Sequence, residues 1–169
     1  NRTVAGWNWT GCVVVPSFVR ANGSSERDNF ATWYSFHRTR NKAAKAGASR
    51  AFADLGENLR VGFNTIWNQN TYRIPVGTDG GLFRDTAATS STNRTTWFNR
   101  LFAAGASGAT PLQGALQTAG EYYRETGNTG PYGPETGTGQ LSCRQNFTIL
   151  TTDGFWNDQS NFNAGATGN

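Results

Sequence analysis

His37 is the chain's one histidine and the first residue to test for acid–base chemistry. It falls on the apolar face of a helical repeat, and no Ser or Cys stands beside it in a nucleophile elbow. A satisfied, partly buried histidine accounts for it without catalysis. Asp79, Asp85, Asp153 and Asp158 show no spacing that establishes a carboxylate pair, so the residues point away from an enzyme. A hard cation is the better match. Mg²⁺ takes oxygen ligands from several loops and keeps waters of its own. Asp153, after a short apolar run, and Thr110, at a helix start, are expected to offer such oxygens. The same two residues also fit a turn aspartate beside Gly154 and an ordinary helix N-cap.

The elements that must position these residues follow from periodicity. From Phe30, the positions Tyr34, His37, Asn41, Ala44, Ala48, Ala51 and Leu55 recur at steps of three and four, which predicts one helix over 29–55. Asp28 or Asn29 can cap its start and Gly56 its end. Residues 60–67 alternate as a strand, and 72–76 pair with them through a turn at 68–70, with Pro75 marking an edge. A polar loop runs to about residue 93, and Trp97, Phe98, Leu101 and Phe102 mark a short helix. Thr110-Pro111, with Gln113 at the capping-box position, opens a helix ending near Glu125. A Gly- and Pro-rich loop covers 126–142, and Phe147–Leu150 read as a short buried strand running into Thr152-Asp153-Gly154. Helices alternating with short strands predict an α/β layered sheet, whose ligands sit beyond the carboxyl ends of strands. Asp153 is expected there.

Composition narrows the function classes. The 169 residues suit one folding unit. Only 36% are hydrophobic, but six Trp, five Tyr and eleven Phe supply large buried areas. Few charges and many Asn, Thr, Ser and Gly make the polar surface common on secreted proteins. The net charge of +4 is dispersed, concentrating only between Arg38 and Lys45, where a solvated helix face explains it; nucleic acid is not an expected partner. No run approaches the ~18 apolar residues of a membrane span. With no Met and Asn1 first, the chain is expected to be an excerpt or processed piece of a longer protein.

Residues 1–28 show no sustained period and are expected to form an irregular arm, with Val13-Val14-Val15 its one candidate strand. Cys12 and Cys143 fit either one long-range disulfide or two idle thiols, and the bridge is the favoured reading for an oxidising compartment. It would close a loop of about 130 residues and constrain the unfolded chain by somewhat over 4 kcal/mol in the loop-entropy view. Residues 158–169 are expected to be a loop tail.

Four ordered segments carry a resemblance. Asn29-Phe30-Ala31-Thr32-Trp33-Tyr34-Ser35 running into Arg38-Thr39-Arg40, then Arg60-Val61-Gly62-Phe63, then Thr110-Pro111-Leu112, then Cys143-Arg144-Gln145-Asn146-Phe147 leading to Thr152-Asp153-Gly154-Phe155-Trp156-Asn157, together resemble the PilY/PilC family of type IV pilus tip-associated adhesins and biogenesis factors. The resemblance implies a partial von Willebrand factor A-like, Rossmann-type domain over 29–157. It also implies pilus biogenesis, twitching motility and surface attachment, location at the bacterial cell surface or pilus tip after export through the periplasm, and pilin subunits, minor pilins or host and abiotic surfaces as partners. In such domains a D-x-S-x-S element, a later Thr and a later Asp hold Mg²⁺. Thr110 and Asp153 match the last two, whereas no D-x-S-x-S occurs in these residues, so the first metal-site strand is expected to be missing and the pair alone to bind weakly. Two other readings are kept: a structural fragment packing on pilin or neighbouring domains, and a carbohydrate-binding domain.

Overall fold

The computed structural model describes residues 25–67, 71–141, 143–154 and 156. The chain divides into two compact units, Asn1–Ala43 and Ala44–Asn169. Helix α1 spans Glu26–His37 and α2 spans Arg40–Ala53, which crosses the division.

The helix expected over 29–55 is therefore two. Ser25, rather than Asp28 or Asn29, caps α1 by accepting from the Asp28 amide at 3.1 Å. The break at Arg38-Thr39 has a local cause: the Thr39 hydroxyl accepts from the Lys42 amide at 3.2 Å, acting as a fresh N-cap for α2. Lys42 Nζ reaches back across the break to the Ser35 carbonyl at 2.6 Å. The three- and four-residue repeat ran through this break because hydrophobic spacing does not register a capping side chain.

The second unit is organised by Trp97, on α3 (Asn93–Ala103), which is 2% exposed. Phe52 stacks on its ring at 4.5 Å, while Phe63, Phe83 and Phe98 meet it edge-on at 5.9, 5.5 and 5.2 Å, the arrangements that the aromatic quadrupole favours. Leu55, Val61 and Tyr72 pack against the same centre. The indole Nε1 donates to the Gly62 carbonyl at 3.1 Å, so the buried polar edge is satisfied.

The strand pair expected at 60–67 and 72–76 is reduced to one antiparallel bridge, in which Phe63 and Tyr72 exchange amide–carbonyl bonds of 2.8 and 2.6 Å. Its turn at 68–70 lies outside the described residues. Arg60 instead pairs with Leu82, and the Phe83 amide donates to the Leu59 carbonyl at 2.7 Å. The one sheet among the described residues is β1 (Asp85–Thr86) antiparallel to β2 (Ser91–Thr92). Asp85 then caps α3, accepting from the Thr95 amide at 3.0 Å and the Thr95 hydroxyl at 2.5 Å. The result is a mixture of helix with a small two-stranded sheet.

Helix α4 spans Leu112–Tyr123, with Pro111 at its N-cap position and no side-chain cap there. The cap falls at Pro111 and not at the expected Thr110, so the helix starts one residue later than the expected Pro111. The loop after it is wound tightly, through turns closed by Gly127–Gly130 and Gly130–Gly133 backbone bonds of 3.0 Å each. A Cβ on Gly133 would lie 2.1 Å from the Asn128 carbonyl oxygen, so the approach admits only glycine.

The buried strand expected at 147–150 does not form. Phe147 and Ile149 are each 77% exposed, and none of these residues joins a ladder. An apolar run becomes a buried strand only when neighbouring strands satisfy its backbone, and no such ladder is found among the described residues; Tyr123 Oη donates to the Phe147 carbonyl at 2.8 Å.

Candidate functional site

Asp153 sits in an exposed turn whose Gly154 amide donates to the Thr152 hydroxyl at 3.4 Å. Thr110 is half-buried just ahead of α4. Both residues are engaged in interactions of their own. Two oxygens fall short of a Mg²⁺ set unless further ligands are brought in, and among the described residues no group of three His, Cys, Asp or Glu gathers into a metal site. Cys143 is exposed and unbridged; its expected partner Cys12, the arm at 1–24, Val13–Val15 and the tail at 157–169 lie outside the described residues.

The other sequence-marked feature is α1. Phe30, Trp33, Tyr34 and His37 recur at the spacing of one helical face. The Phe30 ring lies 6.1 Å from Trp33 and 6.0 Å from Tyr34, and Trp33 lies 5.8 Å from His37. Phe30, Trp33 and Tyr34 are at least half exposed, and the Arg38 guanidinium lies 5.9 Å from the Tyr34 ring centre. His37 is half-buried against Trp33, in keeping with a packed histidine. Chemically, the arrangement can make noncovalent contacts through flat apolar faces with the Arg38 cation at one edge.

A third cluster was not anticipated. Arg60 Nη1 donates to the carbonyls of Pro131 and Gly133 at 3.2 and 2.7 Å, and Arg144 Nη1 donates to the same Pro131 oxygen at 3.4 Å. Asn146 Nδ2 donates to the Arg144 carbonyl at 3.2 Å and to the Tyr132 hydroxyl at 2.8 Å. Arg60 and Arg144 stand 84 positions apart in sequence, and only the fold of 130–133 brings them together; their presence in two of the resembling segments was the one signal available. Nearby, Arg73 grips Glu125 through two 2.7 Å bonds and lies 5.2 Å from the Tyr122 ring centre.

Among the described residues, no helix is long and apolar enough to cross a membrane. No family model matches the chain, and no solved structure matches it. It is 37% identical over 145 residues to the type IV pilus biogenesis factor PilY1 of Pseudomonas aeruginosa strain PAO1, covering 81% of this chain and 12% of that protein. The PilY1 of strain PAK is 37% identical over 145 residues, and that of strain UCBPP-PA14 is 34% identical over 137. The chain thus spans 11–12% of the length of these curated relatives.

Proposed function

Because this chain is related over four-fifths of its length to the PilY/PilC family of type IV pilus biogenesis factors, we propose that it serves type IV pilus biogenesis as an extracellular adhesion and assembly module, acting by noncovalent recognition and not as an enzyme. The observation that carries this reading is the sequence kinship itself, joined to the exposed Phe30-Trp33-Tyr34 face in the segment that most resembles the family. Its partners are pilin subunits or minor pilins and surface ligands, and twitching motility and attachment depend on it. The parent domain is of von Willebrand factor A type. Mg²⁺ binds there through Thr110 and Asp153 only when a D-x-S-x-S element completes the ligand set. Oxidation after export through the periplasm would pair Cys143, unbridged in this structure, with Cys12.

The test replaces Phe30, Trp33 and Tyr34 with Ala in the full-length parent protein and measures surface pili, twitching zones and attachment. Reduced piliation with normal protein abundance is the expected result; unchanged piliation, motility and attachment would remove the reading. Chelation by EDTA and Asp153→Ala address the metal separately: binding that survives both sinks the metal-dependent version.

A second reading, a structural piece that packs on a neighbour, is favoured by the exposure of Phe147 and Ile149 at 77% each. It expects attachment to be unaffected while parent-protein abundance falls when these two residues are made polar.

A further inference from the structure

We infer that Arg60 and Arg144 form an oxyanion-binding site, taking a carboxylate or phosphate group, at the loop formed by residues 130–133. The site uses none of the residues named for the metal or on α1. Both guanidiniums reach a single neutral acceptor, the Pro131 oxygen, at 3.2 and 3.4 Å. Two positive charges that share one atom lie well inside the ~8 Å screening length of physiological salt and repel each other. Among the described residues neither has a salt-bridge partner, and the remaining nitrogens of both forks, Nε and Nη2, have no hydrogen-bond acceptor. A guanidinium fork presents paired donors that match a carboxylate or phosphate.

The surroundings compensate the positive charge only in part. Burial first, and Arg144 second, push the Arg60 guanidinium below its usual range, and Glu135 offsets this only in part. Both arginines are half-buried, so the repulsion is less screened than between fully exposed groups. Each arginine is also tied through its backbone. Arg60 belongs to the bridge with Leu82, and Arg144 is tied through its carbonyl to Asn146. Gly80, at a φ of +62°, passes beside Arg60 Nη2: a Cβ there would stand 3.7 Å from that nitrogen, an ordinary contact distance. Arg60 alone reaches both carbonyls of the loop; Arg144 adds a second charge that Glu135 offsets only in part and that a bound anion would answer.

The test follows thermal unfolding of the 169-residue chain in increasing sodium phosphate and, separately, sodium acetate, each against sodium chloride at equal ionic strength. The expected result is a saturable rise in Tm, because a ligand that binds only the folded state stabilises it by mass action, and loss of that rise in Arg144→Gln. Response to both anions assigns a carboxylate-type ligand, and response to phosphate alone assigns a phosphate group. No saturable rise, or a rise that Arg144→Gln retains, overturns the site. Should Arg144→Gln fail to fold, Glu135→Gln decides: removing the competing carboxylate should tighten phosphate binding several-fold, and unchanged affinity would overturn the proposal.

Discussion

Arg94 lies with its guanidinium carbon 5.1 Å from the ring centre of Phe83, which is 1% exposed. From that position it donates through Nη1 to the Leu55 carbonyl at 3.1 Å and through Nη2 to the Ala53 carbonyl. One side chain on α3 thereby closes the carboxyl end of α2 and covers the core. Arg94→Ala is expected to destabilise the fold by about 2 kcal/mol, since hydrogen bonds to charged groups contribute ~1.5–3 kcal/mol. Arg94→Lys should recover less than half, because an ammonium lacks the planar fork. Urea unfolding followed by circular dichroism measures both.

Trp97→Phe keeps an aromatic ring among Phe52, Phe63 and Phe83 but removes the Nε1 donor that the Gly62 carbonyl now accepts from at 3.1 Å. Gly62 is exposed, so water can replace that donor, and the expected cost is the ~0.5–1.5 kcal/mol net contribution of one hydrogen bond. Trp97→Ala should cost ~3–5 kcal/mol through the cavity it leaves. Equal midpoints for the two variants in urea would show that the hydrogen bond and the ring volume are not separate contributions.

Acid stability should depend on Asp79. Its carboxylate accepts from Arg84 Nε at 2.6 Å and from Nη2 at 2.9 Å. Chiefly through this hydrogen bonding, Arg84 holds the carboxyl below its ordinary value of 3.8. A carboxyl depressed in the folded state binds fewer protons than in the unfolded chain. Its stabilisation is therefore present above the ordinary aspartate value and is lost as pH falls through the lower folded value. Asp79→Asn should flatten the fall in Tm below about pH 4 relative to the parent chain, and should lower Tm at pH 7. Melting curves from pH 7 to pH 2 report both effects.

Gly133→Ala should destabilise by ~1–3 kcal/mol, the usual range for forced overpacking, because the new methyl would lie 2.1 Å from the Asn128 carbonyl oxygen. Gly137→Ala, at a φ of +59° with nothing within 4 Å of its Cβ, should carry only the smaller backbone strain of a left-handed alanine, ~1–2 kcal/mol. The difference between the two melting temperatures separates steric exclusion from backbone conformation.

Much of the fold was legible where side chains repeat. The stripe of Trp97, Phe98 and Leu101 predicts α3, and the apolar spacing from Leu112 predicts α4. Less legible was the stretch from 77 to 93, read as a polar loop, which holds buried Gly81, Phe83, Ser91 and Asn93. Its burial rests on side-chain-to-backbone bonds, such as those from Asn93 Nδ2 to the Thr78 and Leu82 carbonyls at 3.0 Å each, and these have no period to detect. The Thr39 cap escaped for the same reason. Phe147–Leu150 show the converse: an apolar run reads as buried whether or not a ladder is there to receive it. Thr110 and Asp153 were named as site residues by motif alone, whereas the meeting of Arg60 with Arg144 depends on a loop conformation that residue types alone do not specify.

The burial of Trp97 also makes the second unit self-reporting. Trp33 and Trp156 are each 54% exposed, against 2% for Trp97. Among the described tryptophans, an aqueous quencher such as iodide extinguishes exposed Trp33 and Trp156 first and half-buried Trp67 less readily, leaving Trp97 the most protected. In a Trp67→Phe background, the residual blue-shifted emission of the described indoles reddens when the cluster around Phe52, Phe63 and Phe83 opens to water.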